Sequence, residues 1–372
     1  MKNTYANKPN TLQGFTSFYP YTKPSIKYSS KQQAFTIVEL LIVIVVIAIL
    51  AAISIAVYTN IQQRAKNTAI TSQEAQARRK LEIYKIQNNS YPADQDAFDA
   101  FMGQSPGSSP YTTYVSSPTF DTYFISTRGT NLSLDCPTGF IEVPGSGAYG
   151  TNSFCAMKYE AKNVNDIPTS QASGTPWVSI NQTNAITKAR ATCSGCHLLT
   201  EAEWMTIAVN TLSVAENWSG GSVGSGTFPR GNSNGGSALD ASSDLAGINK
   251  RSLKLTNGEE IWDIAGNVWE WTQGTITGGQ PGLVGQSSYV WNDYNNSNLQ
   301  WNGLSSESQP SGTLYARSYG VGGVYSNPSE AGLRAFIRGG YWRSGSGAGV
   351  LALGLFHSPS YTTASLGCRV AR

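Results

Sequence analysis

Apolar and polar positions alternate along this 372-residue chain in sharply different ways from one stretch to the next. Leu40 to Tyr58 is 19 residues without a charge, and Ser54 is its only strongly polar side chain. At about 1.5 Å per residue such a helix nearly spans a ~30 Å hydrocarbon layer, so the pattern predicts a membrane-spanning helix. Beyond Tyr58 the pattern turns amphipathic to about Gln87. Ala65, Ile70, Ala75 and Leu81 interleave with Arg64, Lys66, Arg78, Arg79 and Lys80, as in a helix half covered by a folded head. Asn88-Asn-Ser-Tyr-Pro92 ends the helix, because Asn, Ser and Pro break it. Residues 92–135 alternate weakly (Tyr111-Thr-Thr-Tyr-Val115, Tyr123-Phe-Ile125) and predict a small β-meander. From Cys136 onward Gly, Ser, Thr and Asn dominate, the composition of a loop-rich β-containing domain. Within it Leu199–Asn210 reads as a helix. Thr200 caps it, Glu203 completes a capping box, and Trp204 and Ile207 face inward. The fold class is α+β, organised as 1–34, 35–90, 91–135 and 136–372.

Charge changes the picture at the N-terminus. The first 34 residues carry Lys2, Lys8, Lys23, Lys27 and Lys31 and no acid, which places that end on the cytoplasmic side. Without those five lysines, 21 of the 26 basic residues face 23 acids, a net charge of −2. No basic face for nucleic acid is left. Five cysteines remain (Cys136, Cys155, Cys193, Cys196, Cys368), an odd number that leaves one thiol over if disulfides form outside the cytosol. Cys136 and Cys155 bracket an 18-residue Gly-rich segment and are expected to pair. Cys368 is open to pairing with Cys193 or Cys196.

Ala34-Phe-Thr-Ile-Val-Glu-Leu-Leu41 resembles the prepilin motif. A secretory signal carries its small-residue cleavage site after a shorter apolar core, whereas here Ala34 precedes the apolar run. The resemblance implies a prepilin peptidase that cuts between Ala34 and Phe35 and methylates Phe35. It makes Glu39 the fifth mature residue, paired during assembly with the Phe35 amino group of a neighbouring pilin subunit, since a carboxylate in lipid needs a partner.

A second resemblance begins at Cys136. Cys136-Pro-Thr-Gly-Phe-Ile-Glu-Val-Pro144, Phe154-Cys-Ala-Met-Lys-Tyr159, Leu199-Thr-Glu-Ala-Glu-Trp204, Gly266-Asn-Val-Trp-Glu-Trp271, Arg338-Gly-Gly-Tyr-Trp342 and Gly367-Cys-Arg-Val370 occur in that order. Together they resemble the formylglycine-generating, sulfatase-modifying family, which implies a C-type lectin-like fold with Trp269, Trp271 and Trp342 packed in its frame. The family's oxidases need a cysteine pair just after the Gly-Gly-aromatic motif. Arg343-Ser-Gly-Ser-Gly-Ala-Gly349 has none, and copper-thiolate chemistry needs such soft ligands, so no enzyme is expected. The resemblance also implies a calcium loop of Asp263, the Gly266 and Val268 carbonyls and Glu270, oxygen ligands that suit a hard cation. Cys193-Ser-Gly-Cys196-His197 fits the haem-attachment spacing. A local disulfide is preferred there and no haem is expected, because no distal ligand box accompanies it.

Arg338 to Arg369 resembles the variable region of proteins targeted by diversity-generating retroelements. Adenine-directed change in Asn codons never yields Lys, Glu, Gln, Met or Trp, and residues 343–368 contain none of these. The positions that align with variable ones are Tyr341, Arg343, Ser344, Ser346, Gly347, Leu351, Gly354, Phe356, His357, Tyr361, Thr362 and Thr363. Aromatic, Arg and small polar residues on a fixed frame (Val350, Ala352, Leu355, Pro359) make up a paratope-like set. The expected function is a surface-displayed, pilin-like adhesin that starts in the cytoplasmic membrane and is then displayed on the surface or in a pilus. It binds a macromolecule on another cell or phage. The alternative is a pseudopilin that only builds a fibre.

Overall fold

The computed structural model describes residues 37–105, 109–127, 134–310 and 315–372, in two units, Met1–Tyr58 and Thr59–Arg372. In the first unit the described residues belong to helix α1 (Ile37–Asn88). Ile37–Ile55 is long and apolar enough to cross a membrane, and none of it is buried against protein. Glu39 is an exposed acid in the first turn. Ala34 and Phe35, the expected cleavage site, lie outside the described residues.

In the second unit α1 runs on to Asn88. The region expected to be a β-meander opens instead with a helix, α2 (Gln95–Met102), because Asp94 caps it by accepting from the Ala97 N–H at 2.8 Å. The hairpin β1 (Tyr111–Ser117) and β2 (Thr122–Thr127) follows. Next come β3 (Phe140–Val143), β4 (Gly145–Ser146), β5 (Phe154–Met157), β6 (Lys162–Val164), β7 (Ile167–Thr169), α3 (Gln182–Thr192), β8 (His197–Leu198) and α4 (Glu201–Leu212). The chain continues through β9 (Ser252–Lys254), β10 (Glu260–Trp262), β11 (Trp269–Thr277), β12 (Val290–Asn292), β13 (Val324–Ser326), β14 (Leu333–Arg338), β15 (Leu353–His357), β16 (Leu366–Cys368) and β17 (Val370–Ala371). The class is α+β, and long loops carry much of the second half.

A six-stranded sheet in the order β12-β13-β15-β14-β11-β16 organises this unit. On one face Val324, Phe336, Leu353 and Leu355 share a core with Trp204 and Ile207 of α4. That helix begins where expected: Thr200 Oγ1 accepts from the Glu203 N–H at 3.2 Å, and Glu203 Oε2 accepts from the Thr200 N–H at 2.9 Å. The Trp204 indole donates to the Val350 carbonyl at 2.8 Å, so its one polar atom is satisfied in the core. On the other face Trp269, Trp271, Ile337 and Leu366 pack with Ala185 and Ala189 of α3. The Trp271 indole donates to the Ile180 carbonyl at 2.8 Å.

No seam divides the unit at residue 135. Strand β4 pairs with β2 across that position. Glu74 of α1, fully buried, accepts from Thr127 N at 3.1 Å, Ser153 N at 2.7 Å and Ser153 Oγ at 2.7 Å. One turn on, Arg78 donates to the Gly150 and Thr151 carbonyls at 2.5 and 2.7 Å and to Asn152 Oδ1 at 2.6 Å. Buried polar groups are tolerated only when bonded in this way, and these bonds tie the helix to both regions. Cys136 and Cys155 are joined in a disulfide with their Cα atoms 5.4 Å apart, which restricts the unfolded chain by about 3 kcal/mol.

Candidate ligand-binding face

Strand register puts a row of side chains on one face of the central sheet. Trp291 lies opposite Tyr325, Tyr325 opposite Gly354, Gly354 opposite Ile337, Ile337 opposite Trp271, and Trp271 opposite Cys368. At the β11–β16 end this row is core, packed with α3. At the β12–β13–β15 end the rings are only half buried. Trp291 stacks on buried Trp269 with centroids 6.2 Å apart and planes at 11°. Tyr325 meets Trp291 at 5.2 Å and stands edge-on to Phe356 at 5.2 Å. Tyr289 touches Tyr325 at 5.7 Å and Phe356 at 6.3 Å. The β14–β15 register slips between Ala335 and Ile337, and after it Phe356 and His357 both join the ring network. His357 lies against Phe356 at 4.0 Å and stacks on Tyr361 at 3.8 Å, planes 10° apart. Tyr361 is the outermost ring, 42% exposed.

The twelve positions singled out in the sequence therefore separate. Arg343, Ser346, Tyr361 and Thr362 are exposed, while Tyr341, Phe356, His357 and Thr363 are half-buried at the surface. Ser344 holds its own turn, its Oγ accepting from the Tyr341 N–H at 2.9 Å. Three positions are corrected. Leu351 is fully buried in the α4-side core, and its carbonyl accepts from Tyr294 Oη at 2.8 Å. Gly347 is buried beneath Trp291, where a Cβ would lie 2.5 Å from the indole. Gly354 is buried beneath Phe356, where a Cβ would lie 2.7 Å from Phe356 Cε1 and 2.8 Å from Ile337 Cγ1. These three support the face and do not present side chains to a ligand. Trp342, expected in the core, is half-exposed and meets Tyr341 edge-on at 5.4 Å. Sequence reading missed Tyr289, Trp291 and Tyr325, which only strand pairing brings to Phe356.

Arg343 is the one Lys, Arg, Asp or Glu in residues 341–363, and it is exposed. Burial and the nearby Arg334 charge hold the His357 imidazole down to about 4, so it is neutral at neutral pH. Arg334 is paired with Glu330 at 2.9 Å and Arg317 with Asp293 at 2.8 Å. Four cavities of about 320, 280, 250 and 370 Å³ are lined by other residues, so none of these four opens on the ring face.

The expected calcium ligands do not fit an ion. Asp263 takes both of its bonds, at 2.7 Å each, from Arg251, and Glu270 is held by Arg369 at 2.7 and 3.0 Å. All four side chains are buried, so a guanidinium already neutralises each carboxylate from inside. Asp263, Gly266, Val268 and Glu270 thus border a buried ion-pair network. Glu160 belongs to it, accepting from Asn267 Nδ2 at 2.5 Å and the Val268 N–H at 3.1 Å. Burial raises the Glu160 carboxyl well above the usual range, and the Asp263 and Glu270 charges add to it.

Cys193 and Cys196 form a disulfide, and Cys368, which had been open to pairing with either, is a buried thiol pushed up to about 12 by burial. Beside them His197 Nε2 is held by Glu203 at 2.8 Å, which raises its pKa. The thiols and imidazole of the haem-like motif are therefore engaged within the protein.

The sulfatase-modifying factor enzyme 1-like domain model matches residues 60–372, and the prokaryotic N-terminal methylation motif matches residues 29–55. The type IV wide pilus major component PilA4 of Thermus thermophilus is 32% identical over 121 residues, 32% of this chain and 88% of that protein. Among solved structures, the Major Tropism Determinant P3c variant is 20% identical at a TM-score of 0.31, covering 63% of this chain and 52% of that one. Treponema denticola variable protein 1 is 15% identical at a TM-score of 0.31, covering 61% and 86%. The chain spans about half the length of the Major Tropism Determinant structure.

Proposed function

We propose, for a chain that belongs to the sulfatase-modifying factor enzyme 1-like family and to the type IV pilus components, that it is a surface-displayed adhesin. Its leader is cut before Phe35, its apolar helix sits in the membrane before assembly, and Glu39 sets register against neighbouring pilin subunits. The large C-terminal head then binds a macromolecule through the accessible part of residues 341–363. The observation that carries this reading is the half-exposed ring face: Phe356 and His357 are held half-buried over a buried frame and Tyr361 is exposed beside them. Large rigid rings on a fixed scaffold give much contact area for little ordering entropy.

The head is read as non-enzymatic. No cysteine lies in residues 343–349, Cys368 is a buried thiol with a raised pKa, and the other four cysteines are in disulfides. Diversification of the exposed codons is the further part of this proposal. It predicts variation at Arg343, Ser346, Tyr361 and Thr362 and constancy at Gly347, Leu351 and Gly354. The test is adhesion of cells carrying the chain to cells and phage of the same habitat. Phe356→Ala with Tyr361→Ala should lower adhesion more than tenfold at equal surface display. Unchanged adhesion would reject the binding role and favour the fibre-only reading.

A further inference from the structure

The ring face draws on two separate parts of the chain. Arg343, Ser346, Phe356, His357 and Tyr361 come from the C-terminal segment, whereas Tyr289, Trp291 and Tyr325 come from β12 and β13 and their approach, well upstream. We infer that Trp291 and Tyr325 are fixed anchors for an uncharged, apolar patch on a protein partner, and that the C-terminal segment adjusts specificity around them. This rests on the binding role proposed above.

Three observations carry the inference. Trp291 bridges the two ends of the C-terminal segment: it lies over Gly347 on one side and meets Tyr325, and through it Phe356, on the other. Each anchor is also supported from behind. Trp291 is stacked on buried Trp269, and Tyr325 stands against Phe356, whose ring fills the space that a side chain at Gly354 would need. Rings braced in this way are already ordered before binding, which is where interface energy concentrates. Finally, the ionisable groups beside the anchors are satisfied internally, Asp293 by Arg317 and Glu330 by Arg334. Arg343 is the one exposed charge of the C-terminal segment; beside the anchors themselves a charged ligand would meet groups that are already paired, while a flat apolar protein patch would cover the rings at little electrostatic cost.

The test displays the full chain on cells with Arg343, Ser346, Tyr361, Thr362 and Thr363 randomised. Clones are selected separately on egg-white lysozyme, on streptavidin and on dextran. Trp291→Ala, Trp291→Phe and Tyr325→Ala are then introduced into every clone, and affinity and melting temperature are both measured. Trp291→Ala and Tyr325→Ala should each weaken lysozyme and streptavidin clones at least tenfold, although the two sets share no selected sequence, and Trp291→Phe should recover most of the loss. Because Trp291 also packs on Trp269, Tyr325→Ala and Trp291→Phe decide the matter if Trp291→Ala lowers display. Protein-binding clones indifferent to both positions, or binders to dextran alone, would overturn the anchor inference and leave the binding role standing. If no probe yields a binder, the binding role fails, and the inference falls with it.

Discussion

Trp271 and Trp291 sit in one row on one face of one sheet, on strands β11 and β12. Trp271 is covered by the α3 side and donates its indole N–H to Ile180. Trp291, at the far edge, stacks on Trp269, lies over Gly347 and is half-exposed. A sheet face buries its side chains where another layer lies on it. The row therefore continues as core chemistry into a half-exposed margin. What the pair teaches is that a binding face can be the uncovered margin of a core, with the same packing rules below it and freedom above it.

That comparison can be broken most directly at its covered end. Trp271→Ala should cost about 3–5 kcal/mol, as for other large core truncations, and lower the melting temperature by about 10 °C. An unchanged melt would mean that the α3 side is not core. Next comes the ion-pair network beneath. Asp263→Ala leaves Arg251 buried without its partner and should also cost about 3–5 kcal/mol, while EDTA should leave the wild-type melting temperature unmoved. A chelation-dependent drop restored by calcium would reinstate the metal. At the changeover between the two ends, Gly354→Ala forces a Cβ into the Phe356 and Ile337 positions and should cost about 1–3 kcal/mol, with loss of near-UV aromatic dichroism. Tolerance there would show that Gly354 is not the seat of the ring.

Smaller effects sharpen the contrast. The Glu160 carboxyl is raised by burial and by Asp263 and Glu270, so the folded state holds its proton longer than the unfolded chain does. Stability should be highest below the unfolded value and fall as pH rises toward the folded one. Glu160→Gln removes that slope, so its melting temperature relative to wild type should be higher at pH 8 than at pH 5. A constant difference would mean that Glu160 is ionised in the fold. Smallest of all is Tyr361→Ala at the open end, expected to shift stability by no more than about 0.5 kcal/mol, because the ring is exposed where it stacks on His357. A core-sized loss would place it in the frame.

The sequence made local features legible. The capping box at Thr200 and Glu203, the inward Trp204 and Ile207 and the apolar run after Glu39 each depend on residues within a few positions of one another. Features that join distant strands were not legible. Trp291 becomes part of the face only by pairing with Tyr325, and Tyr325 only by lying parallel to Gly354. Gly354 looked like a variable contact because its burial depends on a register that slips within its strand pair, and Leu351 because the residues that hold it, Tyr294 and Val321, lie well upstream. The partner of the expected calcium ligand Glu270 was hidden for a similar reason: the cation that meets it is Arg369, 99 residues away. Helix α2 was overlooked because its eight residues sit between weakly alternating stretches, with Asp94 as the one clear start signal.

The bonds from Glu74 and Arg78 have a consequence for how such chains exchange parts by recombination. A crossover at residue 135 would graft a new head onto an old helix, where the buried Glu74 would lose Ser153 Oγ and Arg78 would lose Asn152 Oδ1 unless the new head carried the same side chains. A crossover ahead of Thr59 carries the helix end, the β1–β2 hairpin and the disulfide together. Inherited shuffling of heads among pilins of this type should therefore leave its junctions inside the helix, upstream of the point where the composition of the chain changes.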